Sequence, residues 1–253
     1  MKTFQIPISG ICMFTIVVFL ACSDNGERAV TSGSVTLTFE AFFAGQPLQM
    51  DGTRQANPTG TGEIEITDFK LYLSNVVLGT SETGNDHVES DSYHLARFDN
   101  PDSTYRFTVE NVPEASYGRL EFGIGVDAQT NLSIDNTGDL DPNNQMAWNW
   151  NVGYKFVVLE GNYYPPDTTE PIPLVFHIGF SDNYKELSYT MDRGPLDVAA
   201  NSDATVGFEI ELTEFFKNPT EIDLQTLSSV MFNPADVAMV ANNYADMITL
   251  AGQ

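Results

Sequence analysis

Polar and apolar positions alternate from the first foldable stretch onward. Ser34-Val-Thr-Leu-Thr-Phe-Glu-Ala-Phe-Phe43 has period two and is rich in β-branched and aromatic residues, which predicts a strand with one face turned to a core. A loop follows from Gln46 to Gly62, where two prolines and three glycines interrupt any pattern. Strand-like segments then recur at Glu63 to Leu78, Ser92 to Arg97, Thr104 to Val112, Tyr117 to Asp127, Met146 to Glu160, Ile172 to Gly179, Leu187 to Met191 and Ala204 to Leu212. Most are bounded by Gly, Pro, Asn or Asp, and no regular helix separates them. The arrangement predicts an all-β fold, a single antiparallel β-sandwich.

The pattern changes near the C-terminus. Asn233-Pro234 supplies an N-cap and a proline at the first helical position, and Val237, Val240, Tyr244, Met247 and Ile248 recur at spacings of three and four. An α-helix is expected there, packed on the sandwich, with a shorter helical turn at Thr213 to Lys217. No internal repeat and no shift in composition marks a second domain.

The first residues read as an export signal. An uncharged apolar run from Ile11 to Leu20 ends in Leu20-Ala21-Cys22 and then turns polar, the form of a bacterial lipoprotein signal and too short for a spanning helix. Residues 1–21 are thus expected to be removed, Cys22 to carry the lipid, residues 22–33 to form a tether and 34–253 the folded domain. The product would be anchored in the bacterial cell envelope, periplasmic or on the outer-membrane surface. Of two cysteines, Cys12 lies inside the signal, so neither a disulfide framework nor a cysteine-based metal site is available.

Thirty-five acidic against eleven basic residues give a formal net charge of −24. This argues against a nucleic acid partner, which requires Lys and Arg to neutralise phosphates. Enzyme signatures are missing: there is no Gly-x-Ser-x-Gly, P-loop or His-Glu-x-x-His, and Gly123-Ile-Gly125 lacks the rest of a dinucleotide fingerprint. A non-enzymatic, monomeric binding protein is the expectation.

Three histidines are the main candidates for chemistry. On a strand, Leu174, Phe176, Ile178 and Phe180 face one way and His177 faces the other with Val175 and Gly179. The imidazole is either a satisfied structural group or a ligand of a type that suits copper. His94 sits on a short strand opposite Tyr93 and Leu95, either a ligand or an ordinary surface residue. His87 falls in a polar loop and reads as solvated. Both tryptophans lie in Met146-Ala-Trp148-Asn-Trp150, so a thioether and two indoles would share one strand face. The row is either core packing or a soft, aromatic-lined site, and Met146 is either a gap-filling side chain or a soft donor for Cu(I). Asp135, Asp139 and Asp141, with three asparagines among them, offer the hard oxygens calcium prefers, but at a spacing unlike the EF-hand loop and in residues any exposed turn uses.

The run Met146-Ala-Trp148-Asn-Trp150-Asn-Val-Gly153-Tyr154-Lys-Phe156 followed by Leu159-Glu160-Gly161 resembles the signature segment of the MbnP-like family. Asp68-Phe-Lys-Leu-Tyr-Leu-Ser-Asn-Val76, Phe122-Gly-Ile-Gly-Val-Asp127, Phe176-His-Ile-Gly179 and Ala241-Asn-Asn-Tyr-Ala-Asp-Met247 resemble further blocks of that family, in its order. The resemblance implies a secreted copper-binding protein of the kind associated with methanobactin operons. It also implies a partner dihaem enzyme of the cytochrome c peroxidase type that oxidises a tryptophan to kynurenine, which then joins histidines on copper. Here the tryptophans available are Trp148 and Trp150, and His177 with His94 is the expected histidine pair. The alternative is a metal-free surface lipoprotein whose aromatic row contacts carbohydrate or protein.

Overall fold

The computed structural model describes residues 1, 31–80, 86–149, 152–168 and 170–252. Cys22, Trp150 and nearly all of the expected signal and tether lie outside the described residues. In chain order the strands are β1 (Ser32–Phe43), β2 (Gln46–Pro47), β3 (Gln55–Ala56), β4 (Glu63–Thr80), β5 (His87–Val88), β6 (Tyr93–Arg97), β7 (Thr104–Pro113) and β8 (Ala115–Ile124). There follow β9 (Ala147–Asn149), β10 (Gly153–Tyr164), β11 (Ile172–Gly179), β12 (Lys185–Thr190), β13 (Leu196–Val198), β14 (Asp203–Glu211), helix α1 (Leu212–Lys217), β15 (Ser229–Val230), helix α2 (Pro234–Ala245) and β16 (Ile248–Leu250).

Two sheets form the sandwich. The smaller runs β16, β14, β1, β2 with β7 also on β1, and the larger runs β12, β8, β4, β10, β11, β15 with short strands added at its margins. Val35, Leu37, Phe39, Ala41 and Phe43 are all buried, as their alternation predicts, and meet Phe69, Leu71, Leu73, Val157, Leu159, Phe176 and Ile178 of the larger sheet in one core.

The sandwich is mixed rather than antiparallel throughout. β1 pairs with β14 in parallel, Ser34 opposite Asp203 through Phe42 opposite Glu211, and β11 pairs with β15 in parallel. Period-two alternation specifies which residues face the core and not the direction a strand runs, so the parallel pairs have no signature in the sequence.

The helices follow their sequence signals. Asn233 Oδ1 accepts hydrogen bonds from the backbone N–H groups of Ala235 and Asp236 at 3.0 and 3.4 Å, capping α2. Val237, Val240 and Tyr244 then bury one face in the main core. Met247 and Ile248 are buried as well, but just beyond the helix, where the chain enters β16. The aromatic rings of Phe215 and Phe216 on α1 meet Phe176 edge-on at 5.5 and 6.0 Å.

One strand organises the larger sheet. Along one edge of β4, residues 63–71 pair with β10 and residues 73–80 with β8. β3, β6 and β5 line the other edge. Leu71, Tyr72, Leu73 and Ser74 are buried in succession because both faces are covered there. Leu71 and Leu73 point to the main core, whereas Tyr72 joins Leu95, Val126, Leu140, Met146, Tyr154, Phe156 and Val158 in a second, smaller cluster on the outer face. The segment between β8 and β10, folded into three short 3-10 turns and β9, makes the lid of that second cluster.

Candidate functional site

The expected single strand from Met146 to Glu160 is two. β9 and β10 fold against each other as an antiparallel hairpin, Asn149 opposite Gly153 and Ala147 opposite Tyr154. Gly153 holds a φ of +87°, and Val152 N–H donates to Asn149 O at 3.1 Å. The Asn-Trp-Asn-Val-Gly sequence thus turns the chain where strong strand formers on both sides suggest continuity.

This hairpin delivers Trp148 to β11. Gly179 lies directly beneath the indole: a methyl group there would come within 2.6 Å of Trp148 Cζ3 and 2.4 Å of the Tyr154 carbonyl oxygen. Phe180 and Phe232 flank the indole at 5.5 and 5.4 Å, and Phe232 is 56% exposed. Met146 is fully buried within the outer cluster.

His177 occupies the same outer face two residues before Gly179, as the strand alternation predicts. It stands directly opposite Val158, a member of the outer cluster. Its Nε2 is 2.6 Å from Oε1 of Glu160, which lies diagonally across on β10 opposite Val175. Asp68, paired with Glu160 in register, forms an ion pair with Lys70 at 2.7 Å. Burial lowers the Lys155 ammonium from its ordinary range, while Glu160 and Asp68 oppose that shift and Lys70 adds to it. In a chain this acidic, the outer face around His177 is a patch of mixed charge.

His94 is elsewhere. It is opposite Leu73, a residue of the main core, and its ring stacks on Phe107 of the smaller sheet with centroids 3.6 Å apart. Its Nε2 lies 2.8 Å from Glu89 Oε2, which also accepts from Ser92 Oγ. His94 therefore sits between the sheets and His177 outside them, so the expected histidine pair is not brought together. His87 is on β5 opposite Leu78, with its ring partly buried and its pKa lowered by that burial, rather than in a solvated loop.

Of the three aspartates considered for calcium, Asp139 ties the lid to β6 and β4 and Asp141 caps a turn within the lid. Asp139 Oδ2 accepts from Leu95 N–H at 2.7 Å, and the Asp139 carbonyl accepts from Tyr72 O–H at 2.9 Å. Asp141 Oδ1 accepts from the backbone and side chain of Asn143, both at 2.8 Å. Asp135 donates its backbone N–H to Ser133 Oγ at 3.1 Å. Among the described residues no three His, Cys, Asp or Glu side chains gather into a group that could hold a metal ion.

Glu160 escaped sequence reasoning. Its strand parity places it on the outer face with Val158, but its meeting with His177 depends on the register of β10 against β11, which no residue pattern announces.

By architecture the chain is a helix-capped mixed β-sandwich carrying a tryptophan and a histidine–carboxylate pair on the outer face of its larger sheet. The MbnP family model matches residues 32–232, and the chain belongs to that family. Its fold is similar to that of MbnP from Methylosinus trichosporium, with a TM-score of 0.58 at 17% sequence identity, covering 88% of this chain and 100% of that one. No curated protein matches the sequence.

Proposed function

We propose that this protein is a lipid-anchored, monomeric copper-binding protein of the bacterial cell envelope, holding one copper ion on the outer face of its larger sheet for uptake or handling rather than catalysis. The observation that carries the reading is the placement of Trp148 over Gly179, two residues from His177 on the same strand face. Neutral imidazole and an oxidised tryptophan supply nitrogen and oxygen donors suited to copper. Because among the described residues no three His, Cys, Asp or Glu side chains gather around a metal position, a modified aromatic side chain is the natural complement to His177. In this reading Trp148 is oxidised to kynurenine by a dihaem peroxidase-like partner, and Cys22 carries the lipid.

Peptide mass spectrometry of the mature protein from its own host, joined to copper titration, tests the proposal. The expected result is kynurenine at position 148 and stoichiometric copper binding that His177→Ala abolishes. An intact tryptophan with no copper uptake would favour the metal-free alternative, for which the exposed Phe232 beside Trp148 and Phe180 is the supporting observation.

A further inference from the structure

We propose that Glu160 is the positioning residue of His177, holding the ring through Nε2–H so that Nδ1 is the one nitrogen open to a ligand. The inference deepens the copper reading and rests on it for the identity of the ligand, but the positioning itself is a property of the apo protein.

The geometry is specific about the atoms. A carboxylate can only accept, so the 2.6 Å contact between Glu160 Oε1 and His177 Nε2 requires the proton on Nε2 when the ring is neutral. The contact recorded for the ring among the described residues is through Nε2, which leaves Nδ1 with its lone pair. Being next to Cγ, it is also the nitrogen nearer the sheet. Histidines that bind metals characteristically give their other ring N–H to a carboxylate or carbonyl, which fixes the tautomer and raises ligand basicity.

The backbone beside Glu160 is shaped by its pairing with β4. The pairing of β10 with β4 shifts register between Glu160 and Gly161, a bulge that alters the local course of the strand where Glu160 projects. Gly161 permits the close approach, since a methyl group there would lie 2.0 Å from the Glu65 carbonyl oxygen. Glu160 is itself 42% exposed in its side chain whereas His177 is 14% exposed, so the carboxylate is not fixed by burial and its orientation is defined by the pair. The contrast with Glu89 is instructive: that carboxylate also accepts from Ser92 within the β5–β6 connection and holds a ring already stacked on Phe107. Among the described residues Glu160 has no such second hydrogen bond.

The test is nuclear magnetic resonance of the apo protein at about pH 8, above the ordinary histidine range of ~6.5, where long-range proton–nitrogen couplings report the tautomer. The wild type and Glu160→Gln, whose amide oxygen still accepts, should show His177 protonated on Nε2. Glu160→Ala should show a mixture. Silver(I), a soft and diamagnetic ion, should then shift Nδ1 in the wild type and bind Glu160→Ala roughly 10–100-fold more weakly. A wild-type ring protonated on Nδ1, or a Glu160→Ala protein with unchanged tautomer, overturns the proposal. The expected tautomers with no silver binding by wild type would leave the positioning role standing and count against the copper reading alone.

Discussion

Trp148 rests on Gly179 with no room for a side chain between them. The contact makes the identity of residue 179 a condition for the placement of the indole, and hence for its proximity to His177.

Gly179→Ala should therefore displace the β9–β10 hairpin from β11. Overpacking of this kind costs about 1–3 kcal/mol, and one of the two atoms met is a backbone oxygen that cannot rotate away. Urea denaturation should show the loss, and tryptophan fluorescence of the native state should move to longer wavelength as the Trp148 ring gains solvent. An unchanged spectrum would mean that Trp148 does not depend on this seat.

The two candidate histidines should separate cleanly. His94→Ala removes a ring stacked between the sheets and leaves Glu89 short of a partner, with an expected loss of about 1–3 kcal/mol. His177→Ala, on the outer face, should cost less stability and, on the proposed copper reading, remove copper binding. Denaturant midpoints and metal titrations on the pair would show the opposite assignment if His94 were the ligand.

Asp139 pins the lid of the outer cluster. Asp139→Ala leaves the buried N–H of Leu95 without its acceptor, for which about 1–3 kcal/mol is expected, and the amide of Leu95 should lose protection against hydrogen exchange. Asp139→Asn, which can still accept at that position, should retain most of it. Equal exchange in all three proteins would argue that the 3-10 turns hold themselves.

Acid should act through Glu211. Burial pushes its pKa up, but hydrogen bonds from the side chain and backbone of Thr213 and from the N–H groups of Gly45 and Ala44 outweigh it, so the carboxyl titrates below the ordinary range. A depressed folded-state pKa contributes stability that is complete above the unfolded value of ~4.3 and disappears as pH falls through the folded one. Glu211→Gln should be less stable than wild type at neutral pH, by roughly 1 kcal/mol once solvent screening of this partly exposed group is allowed for, with the gap narrowing below pH ~4. A gap independent of pH would show that the carboxylate charge is not what joins the β1–β2 turn to α1.

Much of this was readable from the chain. The alternation in β1, the cap at Asn233, and the opposite facing of His177 and Ile178 are each local, and each is found as expected. The failures are relational. Parity within a strand places His94 away from Tyr93 and places His177 away from Phe176, yet whether those two histidines share a surface depends on how β6, β4, β10 and β11 are registered. That depends on side chains far apart in sequence, as does the meeting of Glu160 with His177. The break between β9 and β10 is hidden for a different reason: residues on either side favour extended structure, and the turn is signalled only by Asn and Gly. Trp150 itself lies outside the described residues.

The parallel seam between β1 and β14 bears on how the chain acquires its shape. Ser34 and Asp203 are separated by 169 residues, so during synthesis β1 receives its second edge partner only when most of the chain has followed. Loop-closure entropy makes such a contact late and slow. Until then Val35, Leu37 and Phe39 belong to a half-built sheet. Such a polypeptide keeps its first sheet open while most of the chain is added and closes the sandwich only when its last strands arrive.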